Sequence, residues 1–157
     1  MQRHVLSKKD AKEFLGKIKQ LYNIDLEGTL EIGKEKKAVY YFVNGVLAFF
    51  NEDPPLPTVC GMVKLKVEMP YVVVDEGAVK AVTRGADLFV PGISEFHCQC
   101  KQGDYFAVKT KTGIPIAVMR ALMDAETAQR EKKGKFGENL HYMGDEIWEM
   151  CKGALKG

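Results

Sequence analysis

The chain has 157 residues, 46% hydrophobic and 28% charged, with a formal net charge of +2. That balance excludes a disordered polar chain and leaves room for one ordinary domain or two small ones. No apolar run approaches the roughly 20 residues that span a bilayer, and Met1-Gln2-Arg3-His4 leads into a polar, lysine-rich segment rather than a secretory core. A cytoplasmic protein is expected. Residues 1–70 hold 11 Lys and Arg against 9 Asp and Glu, and residues 71–157 hold 12 against 12. A nucleic-acid surface on such a chain has to be a local patch on a neutral domain, selective by shape more than by bulk charge.

Ser7 is placed to cap a helix over Lys8–Leu21, where Phe14, Leu15, Ile18 and Leu21 form the apolar stripe and Lys12, Lys17 and Lys19 face water. Thr29–Ile32, Ala38–Val43 and Val46–Phe50 read as three strands. Asn44-Gly45 between the last two is a strong hairpin signal, because a type I′ turn needs two residues that tolerate positive φ. Tyr40-Tyr41 and Phe49-Phe50 are adjacent pairs, so on a strand one ring of each is expected inward and the other outward. Asn51-Glu52-Asp53-Pro54-Pro55-Leu56-Pro57 is the clearest break in the pattern, an acidic, proline-rich loop that forbids helix and interrupts sheet.

The stretch Val72–Ile93 reads as strand, helix, tight turn and strand. Val72, Val73 and Val74 form the strand, and Asp75 is the helix N-cap. Ala78, Val79 and Val82 give one apolar face, while Lys80 and Arg84, four residues apart, project side by side from another. Gly85 is a left-handed C-terminal cap, Leu88–Val90 restarts an apolar run, and Pro91-Gly92 turns it. Ser94–Lys111 is expected to be a loop and then a strand. The Cys98-x-Cys100 spacing beside His97 is too short for a structural zinc pair and lacks a second ligand pair. It points to two sulfurs packed on the same side of a strand. With four cysteines in all, a disulfide scaffold is not indicated and a reducing compartment fits.

Ile114–Met123 reads as a buried strand with Pro115 near its start. Asp124 opens a second helix, Ala125–Lys132, and Lys132-Lys133-Gly134-Lys135 is a basic loop after it. The lone Trp148 is expected in a last strand, and Cys151–Gly157 as a polar tail. No glycine-rich phosphate loop, Gly-x-Ser-x-Gly or His-Glu-x-x-His is present. The histidines, His4, His97 and His141, are scattered. Asp75 and Glu76 are adjacent helix residues that do not converge on one reacting centre. No catalytic residue, metal or cofactor is therefore assigned.

These pieces have a familiar order. The run from Asp75 through Gly85-Ala86 to Pro91-Gly92-Ile93 resembles the opening of a PUA domain, the RNA-binding module named after pseudouridine synthases and archaeosine transglycosylases. Gly103-Asp104, Val108 and Gly113-Ile114-Pro115-Ile116-Ala117-Val118 resemble its central strands. Glu138-Asn139-Leu140-His141-Tyr142 and Ile147-Trp148-Glu149-Met150 resemble its closing strands in the malignant T-cell amplified sequence 1 family of translation proteins. The segment before Pro70 resembles the extra domain that family carries ahead of its PUA domain. The short chain is similar to an archaeal member.

The resemblance implies an α+β protein: a small mixed α/β pre-PUA domain over residues 1–70, then a PUA-type β pseudobarrel over residues 71–157. It implies a non-catalytic protein that binds structured RNA, transfer RNA or ribosomal RNA. The family works with the small ribosomal subunit and the acceptor end of transfer RNA, in initiation or recycling, beside a partner resembling density-regulated protein. Carried onto this chain, the RNA surface is Lys80, Arg84, Gly85 and Ala86, with Arg120 and Lys135 as weaker contributors. The chain departs from the pattern at Met119, where many PUA domains have a glycine in an Ala-x-Gly-x-Ala run. Two other readings stand beside this one: an accessory RNA-binding subunit for an RNA-modifying enzyme, and a protein-interaction adaptor with degenerate RNA binding.

Overall fold

A computed structural model describes residues 1–156. Its fold is α+β and divides into two compact units, Met1–Glu68 joined by the segment from Met150 onward, and Met69–Glu149.

The first unit contains strand β1 (Gln2–Val5), helix α1 (Lys8–Tyr22), strands β2 (Leu30–Glu35), β3 (Ala38–Val43), β4 (Val46–Phe50) and β5 (Leu56–Pro57), and helix α2 (Val59–Leu65). The five strands form one antiparallel sheet in chain order. Helix α1 starts where Ser7 accepts a hydrogen bond from the Asp10 amide and ends on Asn23 in the left-handed region. Its buried face, Phe14 and Ile18, lies against the sheet, with Phe14 stacked 4.3 Å from Tyr41 and edge-on to Phe49. Asn44 and Gly45 turn the β3–β4 hairpin at φ 50° and 83°. Tyr40, Tyr41, Phe49 and Phe50 are all buried, so the outward ring expected of each pair does not exist. Both faces of this sheet are covered, and alternation then no longer separates core from surface. The proline-rich stretch is not wholly a loop: Leu56–Pro57 pairs with β4 at the sheet edge, where a missing amide is tolerated. Only Asn51–Asp53 are exposed. Helix α2 approaches β4 so closely that a Cβ on Gly61 would lie 2.4 Å from the Ala48 carbonyl oxygen.

The second unit contains β6 (Tyr71–Val74), helix α3 (Glu76–Val82), β7 (Leu88–Phe89), a 3-10 turn Val90–Gly92, β8 (Ile93–His97), β9 (Tyr105–Lys109), β10 (Pro115–Ala121), helix α4 (Ala125–Glu131) and β11 (Lys135–Tyr142). The sheet order is β7-β11-β10-β9-β6-β8, antiparallel except for β6 beside β9. Its core gathers Val72, Val74, Val82, Leu88, Val108 and Ile116 around Phe106 and Phe136, whose rings are 5.0 Å apart.

Several expectations change. Residues 93–97 form a strand paired with β6 rather than a loop. Cys98 and Cys100 lie just beyond it, in the irregular segment before β9. Asp124 stands at the N-cap of α4, but its side chain accepts from the Gln102 amide, 2.8 Å away, instead of capping its own helix. Trp148 is not in a strand. Gly144, at φ 118°, turns the chain out of β11, and Asp145 accepts from the Trp148 amide, starting helix α5 (Glu146–Cys151). Glu146 and Glu149 suit the first turn of that helix. The tail continues as a 3-10 helix, Lys152–Lys156; Gly157 lies outside the described residues. Cys151 forms a disulfide with Cys60 of α2, across 91 residues of sequence. Among the described residues no helix is long and apolar enough to cross a membrane.

Candidate nucleic-acid interface

Of the two cations singled out from sequence, Lys80 lies on helix α3 and Arg84 lies in the turn that follows it rather than on the helix. Asp75 caps the helix, accepting from the Ala78 amide at 2.9 Å. Val82 is buried on the inner face while Lys80 and Arg84 are exposed. The helix ends in a tight turn: the Gly85 amide donates to the Val82 carbonyl, the Ala86 amide to the Ala81 carbonyl. Gly85 has φ 96°, and a Cβ there would fall 3.1 Å from the Tyr142 hydroxyl. The positive φ favours glycine here, and any side chain would also push the Tyr142 ring back by a few tenths of an ångström.

A residue not singled out from sequence holds this turn. The Asn139 side-chain amide donates to the Val82 and Ala86 carbonyls at 3.1 and 2.9 Å, and its backbone amide donates to Asp87 at 2.8 Å. Asn139 thereby adds a second donor to the Val82 carbonyl at the end of α3 and supplies one to the Ala86 carbonyl in the turn beyond it. The sequence shows it only within the Glu138–Tyr142 run of the resemblance, and nothing there ties it to this turn, because its partners lie more than fifty residues earlier. Below it, Tyr142 is supported by Asp145, which also accepts from the Tyr142 amide and sits 2.9 Å from buried His141. Burial pushes the Asp145 carboxyl up, but the hydrogen bond and charge of His141, with the Trp148 and Tyr142 amides, outweigh it and hold the carboxyl below its usual range.

The four candidate cations fall into two classes. Lys80 and Arg84 have no ion-pair partner among the described residues. Arg120, on the outer side of β10, is engaged by Glu138 of β11 through Nε and Nη2 at 3.1 and 2.9 Å. Lys135 pairs with Asp87 at 3.3 Å and lies 5.7 Å above the exposed Phe89 ring. Lys80 also lines a cleft of about 380 Å³ with Lys111, Thr110 and Thr112, walled by Val74, Val79 and Ile114, with Glu76 at its rim. Lys111 sits in the turn between β9 and β10, and its placement beside Lys80 is a product of the fold alone.

Met119 is fully buried, with its sulfur where a Cβ on Gly137 would come within 2.8 Å. The side chain that departs from the usual glycine therefore fills the core, opposite a glycine on the neighbouring strand, and does not obstruct the surface. Among the described residues no group of three or more His, Cys, Asp and Glu side chains is arranged to hold a metal ion.

With that geometry in place, comparison with known proteins is direct. Residues 2–65 match a domain of unknown function (DUF1947), and residues 70–143 match the PUA domain. A conserved PUA domain protein from Thermoplasma acidophilum has a solved structure that superposes with a TM-score of 0.83 at 34% identity, covering 94% of this chain and 98% of that one. Malignant T-cell-amplified sequence 1 of Rattus norvegicus is 34% identical over 119 residues, 69% of this chain; the chain spans 63% of that relative's length. Translation machinery-associated protein 20 of Schizosaccharomyces pombe is 28% identical over 126 residues, covering 76% of this chain and 70% of the relative. The capped helix and glycine turn, the sheet order around them and these matches agree: the chain belongs to the PUA-domain proteins, with a DUF1947 domain ahead of the PUA domain.

Proposed function

We propose that this protein binds structured RNA, transfer RNA or ribosomal RNA, through the Lys80–Ala86 segment, and acts in translation in the cytoplasm without catalysing a reaction. The observation that carries the reading is the pair Lys80 and Arg84, exposed four residues apart and without a carboxylate partner among the described residues. Such cations meet phosphates without first breaking an internal ion pair. Gly85 and Ala86 present a short backbone turn beside them, fixed by Asn139. Arg120 and Lys135 contribute less, because Glu138 and Asp87 already neutralise them. The likeness to translation machinery-associated protein 20 supports a role in translation; we extend the reading to work at the small ribosomal subunit and the acceptor end of transfer RNA, with a protein partner resembling density-regulated protein.

The test is binding of the purified protein to deacylated transfer RNA, with and without its single-stranded acceptor end, across a salt series. The expected result is binding that needs that end and weakens with salt by a few released counterions. Absence of binding to either form at low salt would overturn the RNA reading and leave a protein-interaction adaptor.

A further inference from the structure

We infer that Cys98 and Cys100 form a reversible dithiol–disulfide couple that exchanges with low-molecular-weight disulfides through the cleft at the start of α4. Both cysteines are free and buried, 9% and 4% exposed, and stand two residues apart in the irregular segment before β9. They line a cleft of about 380 Å³ together with Gln99, Lys101, Glu126 and Gln129. Both residues thus open onto the same cleft. The other two cysteines are consumed by the Cys60–Cys151 disulfide. A metal is the weaker reading, since no third donor of the His, Cys, Asp or Glu type joins the pair among the described residues.

The surrounding backbone holds the two thiols in place. The Cys100 carbonyl accepts from the Ala125 amide at 2.8 Å, the Gln102 amide donates to Asp124 at 2.8 Å, and the Lys101 amide donates to Asp104 at 2.9 Å. The thiols are unequal. The hydrogen bond from Cys100 outweighs burial and lowers Cys98 to about 7, with His97 assisting and Asp104 opposing. The same hydrogen bond, together with burial, raises Cys100. Cys98 is therefore the attacking sulfur near neutral pH and Cys100 keeps its proton, the division of labour that thiol–disulfide exchange requires.

The Cys98 thiolate attacks one sulfur of a small disulfide, forming a mixed disulfide and expelling one small thiolate. The charge on Cys98 is then gone, and with it the interaction that held the Cys100 proton. Cys100 loses that proton as its sulfur attacks Cys98, closing the Cys98–Cys100 bond and releasing the second small thiol. Two protein thiols are oxidised and one small disulfide is reduced to two thiols. The reverse sequence with excess small thiol restores the pair.

The whole protein is equilibrated in glutathione buffers of graded oxidised-to-reduced ratio, quenched in acid, unfolded and alkylated with N-ethylmaleimide. The peptide carrying Cys98 and Cys100 is then weighed. The expected result is two maleimides under reducing conditions, and under oxidising conditions none with two hydrogens lost, interconverting when the ratio is reversed. The variant Cys100→Ser should stop at a glutathione adduct on Cys98. Cys98→Ser should slow glutathione uptake at position 100 at least tenfold. Two maleimides at every ratio in the native protein, or a glutathione adduct that accumulates without ring closure, would overturn the proposal.

Discussion

The two sides of the PUA unit carry the same kind of charge and use it differently. On the α3 side, Lys80 and Arg84 stand exposed without a carboxylate partner, and the turn after them is braced from behind by Asn139 and Tyr142. On the β10–β11 side, Arg120 and Lys135 are each matched by a carboxylate, from Glu138 on β11 and from Asp87 just before β7. A count of Lys and Arg treats these four alike. What separates them is who stands opposite, and an engaged cation must exchange one anion for another before it can bind RNA.

The largest effect tests the core beneath β10. Met119→Ala should destabilise the protein by about 2–5 kcal/mol, as truncation of a buried methionine does, read as a lower urea midpoint. If it costs little stability, Met119 is not the core residue described. Next comes the α3 side. On the proposed reading, Lys80→Ala/Arg84→Ala should weaken RNA binding by about 2–4 kcal/mol, at roughly 1–2 kcal/mol for each charged contact. It should also reduce the salt slope by about 2 while leaving the urea midpoint close to wild type. Unchanged affinity would remove these residues from the interface.

The brace behind the turn is expected to be pH-dependent. The Asp145 carboxyl is held below its usual range in the folded protein. Its contribution is therefore fully present above the ordinary carboxylate pKa and is lost as pH falls through the folded-state value. Asp145→Asn should cost on the order of 1–2 kcal/mol of stability at pH 7, read as a lower urea midpoint, and the gap to wild type should narrow in acid. A gap that widens in acid would reverse the sign. The smallest effect is on the β10–β11 side. Glu138→Gln releases Arg120 at a stability cost of about 0–1 kcal/mol, since the pair is solvent-exposed. If pairing is what sidelines Arg120, this variant should bind RNA slightly more tightly than wild type; weaker binding would mean Glu138 itself belongs to the surface.

Much of the local structure was legible from short-range patterns. Ser7 and Asp75 as caps, the Asn44-Gly45 hairpin, Ala38–Val43 and Val46–Phe50 as strands, and Gly85 in a left-handed turn all hold in the structure. Each depends on a few neighbouring residues and on backbone sterics. Long-range facts were hidden. The Cys60–Cys151 disulfide is not foreseen, because four cysteines are sparse for a disulfide scaffold and fit a reducing compartment, and no spacing rule joins two positions 91 residues apart. Trp148 was misplaced because its apolar run suits a strand as well as a helix, and the Gly144 turn with the Asp145 cap decides between them.

The residues of the candidate interface divide in the same way. The sequence by itself determined that Lys80 and Arg84 stand four residues apart and that Gly85 takes a left-handed turn, because spacing and the steric freedom of glycine are local properties; the helix stops at Val82, so Arg84 sits in the turn rather than on the helix face expected. Only the tertiary structure decided which cations remain unpaired, that Lys111 joins Lys80 at one cleft, that Asn139 clamps the turn, and that Met119 points inward against Gly137. Those outcomes depend on which strands become neighbours and in what register. That choice is made by burial of the whole apolar surface at once, so no short stretch of the chain encodes it.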